Sequence, residues 1–95
     1  MIKFEWDQSK NNESKKKHGV SFEEASTIFV GFPLEVFFDP EHSGEEERYI
    51  AVGFSNKNRS LLVVHCENSK GSIIRIISAR KATKNEQKSA FGGRR

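Results

Sequence analysis

The chain has 95 residues, of which 35% are hydrophobic and 31% charged, and its formal net charge is +3. This length predicts one domain over residues 1–95, and the eight Phe residues with several Ile and Val runs exclude wholesale disorder. No stretch reaches the roughly 18 apolar residues of a membrane span, and the N-terminus has no apolar signal-peptide core, so we expect a cytoplasmic protein.

The residues that bind metals and cofactors are few and scattered. One cysteine, Cys66, excludes an internal disulfide. The three histidines, at positions 18, 42 and 65, lack the short paired spacing of a zinc site. No glycine-rich nucleotide-binding pattern occurs. We therefore expect neither a metal nor another cofactor.

Charge is distributed unevenly along the chain. Residues 10–17 carry four Lys and one Glu, and residues 80–95 carry six Lys or Arg and one Glu. Residues 35–47 carry six acids and no Lys or Arg. This pattern predicts one surface for an anion and another for a basic partner, unless the charges only solvate loops and chain ends.

The first third of the chain predicts a strand and two helices. Bulky and charged residues alternate over residues 2–6, as in a strand. A polar helix follows over residues 7–18, with Gly19 as its left-handed cap. Ser21 and Glu24 form the pattern of a capping box at the start of a second helix, which Pro33 ends. Helical spacing predicts that its buried stripe consists of Phe22, Ala25, Ile28, Phe29 and Phe32.

The remainder predicts four strands and a helix. A short strand at residues 34–38 precedes an acidic loop, in which we expect His42 to be exposed. Three further strands follow at residues 48–54, 61–67 and 72–78. The short turns between them favour antiparallel pairing of neighbouring strands. Thr83, with Glu86 three residues later, predicts a capped last helix. The predicted fold is α+β: a twisted, mainly antiparallel sheet with two N-terminal helices and one C-terminal helix packed on it.

Arg75 is the most informative residue because it interrupts an apolar strand. Alternation places it on the face of Ile73 and Ile77, where a guanidinium is costly unless it is paired or opens into a cleft. It is therefore either paired to an acid at the sheet edge or a phosphate clamp. Pairing through the turn at residues 68–71 would set His65 opposite residue 74 or 75, where the two side chains could transfer protons and stabilise charge. A structural role for His65 is the alternative.

Other cations are candidates for binding RNA. Lys17 and His18 close the first helix, where they either complement its dipole or point into the same cleft. Arg48 opens the third strand. Alternation places Ser78 and Arg80 on the face opposite Arg75, and a basic C-terminal segment follows, in which Lys81 and Lys84 could grip a phosphate backbone. Without metal ligands, this set fits RNA cleavage by the 2′-hydroxyl, or RNA binding alone.

Several short motifs in a fixed order resemble the BrnT family of toxins from bacterial type II toxin–antitoxin systems. They extend over nearly the whole chain, from residue 4 to about residue 88. They are FEWD at residues 4–7, KHGVSFEEA at 17–25, FDP at 38–40, ER at 47–48 with Gly53, and IRIISARKA at 74–82 with Thr83 and Glu86.

The resemblance implies a RelE-like fold and a metal-independent endoribonuclease that inhibits translation and growth. It also implies neutralisation by a BrnA-type antitoxin with a ribbon-helix-helix part, so that DNA is contacted only through the antitoxin, in a complex expected to hold two toxins and two antitoxins. By position, Lys17, His18, Arg48, Arg75 and Arg80 match recurring polar residues of the family, and His65 matches a His often found there. We expect a catalytic set of His65, Arg75, Arg80 and His18 and an RNA-binding set of Lys17, Arg48, Lys81 and Lys84.

One position departs from the family pattern. The family usually has an aromatic residue about where Ala90 stands. Either activity is weakened here, or Phe91 takes over stacking on a base. The alternative function is therefore a catalytically weakened RNA- or antitoxin-binding module of the same fold.

Overall fold

The computed structural model describes residues 2–42, 44, 46–68 and 71–92. The elements are β1 (Lys3–Glu5), α1 (Gln8–His18), α2 (Phe22–Ser26), β2 (Leu34–Phe38), β3 (Glu47–Phe54), β4 (Ser60–Asn68), β5 (Ile73–Lys81) and α3 (Lys84–Gln87). A 3-10 turn (Thr27–Val30) continues α2, and a π turn (Lys88–Gly92) follows α3. This order confirms the predicted α+β class. The RelE-like kinship and the single domain over residues 1–95 stay predictions.

The five strands form one sheet in the order β1-β5-β4-β3-β2. Strands β2 to β5 pair as antiparallel neighbours, and β1 pairs parallel to β5, so the sheet is mainly antiparallel as predicted. β1 covers β5 only over Ile73, Ile74 and Arg75. Beyond Arg75 the outer edge of β5 has no strand beside it in the described part of the chain.

The two faces of the sheet differ in what covers them. Helices α1 and α2 pack on one, which we call the helix face, and bury the main core there. The other, which we call the open face, is covered at one end by the C-terminal turn, where Phe91 stacks on Phe54 with 5.8 Å between ring centroids. The fully buried core residues are Val20, Ala25, Ile28, Ala51, Leu61 and Val63.

A β-bulge in β5 corrects two of the predictions made from alternation. Val64 lies opposite Ser78, but the next residue, His65, lies opposite Ile76, so Ile77 is an extra residue in the ladder. The bulge reverses the alternation, and Ser78 and Arg80 therefore share the open face with Arg75; the prediction that they lie opposite Arg75 was wrong.

The predicted pairing of His65 with residue 74 or 75 was also wrong, by one residue. Cys66 is the residue opposite Arg75. Since a shift of one residue moves a side chain to the other face, His65 lies on the helix face, away from Arg75.

Helix α1 is attached to the core by polar side chains. Asp7 caps its N-terminus, and Gly19 ends it at φ 68°, which confirms the predicted left-handed cap. Two buried residues hold it in place: Asn11 accepts a hydrogen bond from the Phe22 backbone N–H (2.8 Å), and the Ser14 hydroxyl donates to the Val20 carbonyl (2.7 Å). These contacts explain how a helix without an apolar stripe packs.

Helix α2 begins as predicted but ends early. Ser21 accepts a hydrogen bond from the Glu24 backbone N–H at 3.0 Å, which is half of the predicted capping box. The Glu24 carboxylate binds Ser55 (2.6 Å) and Arg59 (3.0 Å) instead of completing it. Helical geometry stops at Val30, so Phe32 leaves the stripe and is 93% exposed. The predicted burial of Phe32 was wrong for this reason.

The last helix is capped as predicted. Thr83 accepts from the Glu86 backbone N–H (3.1 Å), and the Glu86 carboxylate accepts from the Thr83 N–H (2.8 Å), which completes the capping box. No helix in the described residues is long and apolar enough to span a membrane.

Candidate functional site

A row of three residues crosses the open face on neighbouring strands. Arg48 of β3 lies opposite Cys66 of β4, which lies opposite Arg75 of β5. Because neighbouring strands are ~4.8 Å apart, the two arginines start about 10 Å from each other. They line one cavity with Cys66, His42, Gly44 and Glu46. We call this cavity the arginine pocket.

Arg75 is paired with an acid in the arginine pocket. Its guanidinium donates to the Glu46 carboxylate, and the two side chains are 43% and 36% exposed. The bond to Glu46 raises the pKa of Arg75 further, so the guanidinium stays charged. Since both partners are in contact with water, a phosphate oxygen could replace Glu46 without leaving a buried charge unpaired.

His42 is the residue that sequence reasoning left out of the site. Its side chain is 62% exposed, as expected of a loop residue, yet it lines the arginine pocket. Its Nδ1 lies 3.0 Å from Oδ2 of Asp39, a contact that orients the ring and directs Nε2 away from Asp39. The Asp39 N–H in turn donates to the Arg48 carbonyl at 2.9 Å, which ties the loop to β3. The only signal in the sequence was an Asp three residues before a His, beside the FDP motif.

His65 lies elsewhere, inside the helix face. It is 0% exposed, edge-on to Phe29 at 4.9 Å and stacked on Tyr49 at 5.6 Å. Its Nε2 lies 3.0 Å from the Glu67 carboxylate. Burial lowers the pKa of His65, while Glu67 acts in the opposite direction. The structure therefore does not bring His65 to Arg75.

Lys17 and His18 line a second cavity, a groove of about 210 Å³ between α1 and the free outer edge of β5. Phe22 and Ile77 form its apolar wall, and Ser78 lines it as well. Because Ser78 also belongs to the open face, the groove adjoins the surface on which Arg75 and Arg80 lie. The β-bulge at Ile77 is what brings these two regions together.

Arg80 is held rigidly at the far end of the open face. It binds both oxygens of the Glu86 carboxylate, at 2.9 and 2.8 Å. This bond is the main reason that the pKa of Glu86 falls to about 2. The partners of Arg75 and Arg80 on β4, Cys66 and Leu62, are four residues apart, so Arg80 lies about 13 Å from Arg75 at ~3.3 Å per strand residue. Lys84 is exposed at the start of α3, and Lys81 is exposed at the end of β5, where it lies opposite Leu61 and therefore on the other face of the sheet from Arg80.

The predicted site residues thus fall into three adjacent groups and one outlier. Arg48 and Arg75 share the arginine pocket, Lys17 and His18 share the groove, and the basic C-terminal group surrounds Arg80. His65 is the outlier. The described residues contain no group of three or more His, Cys, Asp or Glu side chains that could hold a metal ion.

Two comparisons with known proteins find similarity. Residues 6–86 match a family model described as the ribonuclease toxin BrnT of type II toxin–antitoxin systems. The 1.1 Å crystal structure of the Brucella abortus ribonuclease toxin BrnT is similar in fold, with a TM-score of 0.66 over 88% of this chain and 100% of that chain, at 22% identity. No curated protein sequence matches the chain.

Proposed function

Because the chain belongs to the BrnT family of ribonuclease toxins of type II toxin–antitoxin systems, we propose that it is an endoribonuclease that needs no metal and inhibits translation and growth. One observation carries the proposal: the β-bulge at Ile77 places Arg75 and Arg80 on the same open face, beside the groove of Lys17 and His18. In this proposal a BrnA-type antitoxin neutralises the toxin in the cytoplasm, in a complex of two toxins and two antitoxins, and only the antitoxin contacts DNA.

The scissile phosphate binds in the arginine pocket. Arg75 exchanges Glu46 for a phosphate oxygen, and Arg48 approaches from the far side of Cys66. Two guanidiniums match the charge that develops on a pentacovalent phosphorane, because their planar N–H groups donate to adjacent oxygens. Arg75 is thus the residue on which cleavage depends most.

His42 transfers the proton in this pocket. Asp39 holds Nδ1, which leaves Nε2 to take the proton of the ribose 2′-hydroxyl or to protonate the departing 5′-oxygen. An imidazole can both accept and donate a proton through this nitrogen, which is what the step requires. His18 in the groove is the alternative proton donor. Buried His65 acts as a positioning residue, because it holds β4 in place beside Cys66.

The flanking RNA follows the basic surface across β5. Arg80 binds a second phosphate, and Lys84 extends that contact along α3. Lys81 binds the RNA where it passes the end of β5 toward the other face. Lys17 and His18 bind the strand where it passes the edge of β5. These contacts depend little on the RNA sequence, because they are made to the phosphate backbone and not to the bases.

The experiment measures the cleavage of a mixed RNA in the presence of EDTA. It compares wild-type protein with Arg75→Ala, His42→Ala and Lys57→Ala. Lys57→Ala is the control, because Lys57 is exposed in the turn before β4. Wild type and Lys57→Ala should cleave. Arg75→Ala should lose about 100-fold in rate, as for loss of one charge-stabilising donor. His42→Ala should lose a similar factor in rate, because it removes the group that transfers the proton.

Retained cleavage by Arg75→Ala would remove the arginine pocket from the proposal. Cleavage by the wild type that EDTA abolishes would remove metal independence and leave the rest.

A second candidate function is an RNA- or antitoxin-binding module with weakened catalysis. Two observations favour it. Position 90 holds a buried alanine, which has no ring, and the ring of Phe91 is stacked on Phe54, so neither residue presents an aromatic ring to a base. Wild-type protein that binds RNA but does not cleave it, free or on ribosomes, would establish this reading instead.

A further inference from the structure

The exposed apolar side chains of this protein are concentrated in one short stretch. The described residues include six large hydrophobic side chains that are exposed, and five of them lie within residues 30–38. They are Val30 (82%), Phe32 (93%), Val36 (42%), Phe37 (43%) and Phe38 (52%). Val36 and Phe38 lie on the helix face of the sheet and Phe37 on the open face, so both faces are apolar at this strand, which indicates an interaction surface. We call these five residues the β2 patch.

The β2 patch coincides with an unprotected sheet edge. The opposite edge strand, β1, is three residues long and carries the charges of Lys3 and Glu5, which discourage pairing with another chain. β2 is five residues long and has neither Lys nor Pro, and its pairing with β3 runs without a register shift. The one charge in β2 is that of Glu35, and the three residues after it, Val36, Phe37 and Phe38, form an apolar stretch that a further strand can join.

The backbone of β2 presents hydrogen-bonding groups outward at alternate residues. Asp39 donates its N–H to the Arg48 carbonyl at 2.9 Å, so residue 39 faces β3. In an antiparallel ladder the orientation alternates, and Val36 and Phe38 therefore direct their N–H and C=O groups away from β3. These two residues can bind an added strand through their backbones.

The charge around the β2 patch selects the partner. β2 and the turn that follows it, residues 34–42, carry three acids, Glu35, Asp39 and Glu41, and no Lys or Arg. A second copy of this chain would bring the same acids and no cation to the contact, whereas a segment with alternating apolar and basic residues would complement both the patch and the acids. Charge complementarity thus favours a basic partner segment over self-pairing.

We propose that β2 and the β2 patch dock an extended, apolar and basic segment of the antitoxin, which adds to the sheet as a sixth strand beside β2. The inference rests on the proposed function for the existence of that antitoxin. β2 is three strands away from β5 in the sheet order, about 14 Å at ~4.8 Å per strand. Docking at β2 therefore holds the antitoxin at a place separate from the groove and from Arg80.

The test compares Val36→Lys with Ile2→Lys. The two residues have matched exposure, 42% and 43%, and belong to opposite edges of the sheet. Binding of the purified cognate antitoxin is measured by calorimetry, and RNA cleavage by each variant is measured in parallel. Val36→Lys should weaken the Kd by about tenfold or more, as for a central interface residue, because it places a cation against the basic segment. Ile2→Lys should bind as the wild type does, and both variants should cleave RNA at the wild-type rate.

Equal antitoxin affinity of the two variants would overturn the inference and leave the proposed ribonuclease intact. Wild-type protein that binds no antitoxin would instead refute the antitoxin part of the proposed function. A toxin dimer that Val36→Lys converts to a monomer would assign the β2 patch to a second copy and overturn the antitoxin assignment.

A second measurement applies if Val36→Lys does not fold. Hydrogen–deuterium exchange on the wild-type toxin should show that the Val36 and Phe38 amides become protected when the antitoxin is added. Unchanged exchange at both amides in a saturated complex would overturn the inference.

Discussion

Two arginine–glutamate pairs, one on each side of the sheet, differ in what surrounds them. On the helix side Arg59 binds Glu24, whose side chain is 2% exposed, and it also donates to the Gly19 carbonyl at 2.9 Å. On the open face Arg75 binds Glu46, whose side chain is 36% exposed. The residue types are the same, but Arg59 binds both carboxylate oxygens of Glu24, whereas one hydrogen bond joins Arg75 to Glu46. The pairs also differ in their access to water.

This difference separates structure from function. Removing Arg59 would leave a buried carboxylate without its cation, so that pair cannot open without cost to the fold. Removing or exchanging a partner of Arg75 costs little, because water replaces it. The pair that can open at little cost is the one suited to bind a phosphate.

The largest effect on stability is expected for Arg59→Ala. Loss of the cation beside buried Glu24 should lower the free energy of unfolding by roughly 3 kcal/mol, the scale for breaking a buried ion pair. Urea denaturation measures this loss. The folded fraction should still cleave RNA, in contrast to Arg75→Ala, which should lose cleavage and keep its denaturation midpoint. If Arg59→Ala and Arg75→Ala lose the same free energy of unfolding and the same rate of RNA cleavage, the contrast between the two pairs is wrong.

A smaller effect is expected from acid, through buried His65. Burial lowers the pKa of His65 below its ordinary value of 6.5, so the unfolded chain binds a proton more readily than the folded one. The free energy of unfolding should therefore have its full value above pH 6.5. It should fall as the pH drops below 6.5, by at most about 1.4 kcal/mol per pH unit.

Denaturation at a series of pH values checks this, with His65→Gln as the comparison, since the amide does not titrate. An identical slope in wild type and His65→Gln between pH 6.5 and 5 would contradict the assignment.

The smallest effect is expected for Glu86→Gln on the open face. The pKa of Glu86 falls to about 2 mainly because of Arg80, so its contribution is present above pH 4.5 and is lost as the pH falls toward 2. Since the Arg80 side chain is 41% exposed, the loss of stability at pH 7 should be under about 1 kcal/mol. Thermal melts measure this, and RNA affinity should fall as Arg80 loses its fixed orientation. A larger loss of stability would place this pair with Arg59 and Glu24.

Local patterns identified most of the fold. The order of the elements, the Gly19 and Thr83 caps and the buried positions of Phe22, Ala25 and Ile28 were all read correctly, because caps and periodicity act within a few residues. Phe32 was misread because the same helical spacing continued past the point where the 3-10 turn ends the helix at Val30. The attachment of α1 through Asn11 and Ser14 had no apolar signal to reveal it.

The candidate site was harder to read from the sequence. Arg75 was singled out as a guanidinium in an apolar strand, and the structure shows it paired to an acid, Glu46, which is one of the two predicted alternatives. Its role in the site stays a prediction. Its assumed neighbour was wrong, since His65 is buried on the other face and His42 lies in the pocket. The two edges of the sheet also could not be told apart, because an edge is defined by which strands pair and not by any one strand.

The sequence by itself determined the α+β class, the chain order of the elements and the family, since these depend on short-range periodicity, capping and ordered motifs. The tertiary structure alone decided which charged residues meet. A single extra residue, Ile77, shifts β5 in its ladder and brings Arg75 and Arg80 to one face. Because side chains in a strand alternate with a period of two, one residue of register reverses every assignment beyond it, and only long-range pairing sets that register.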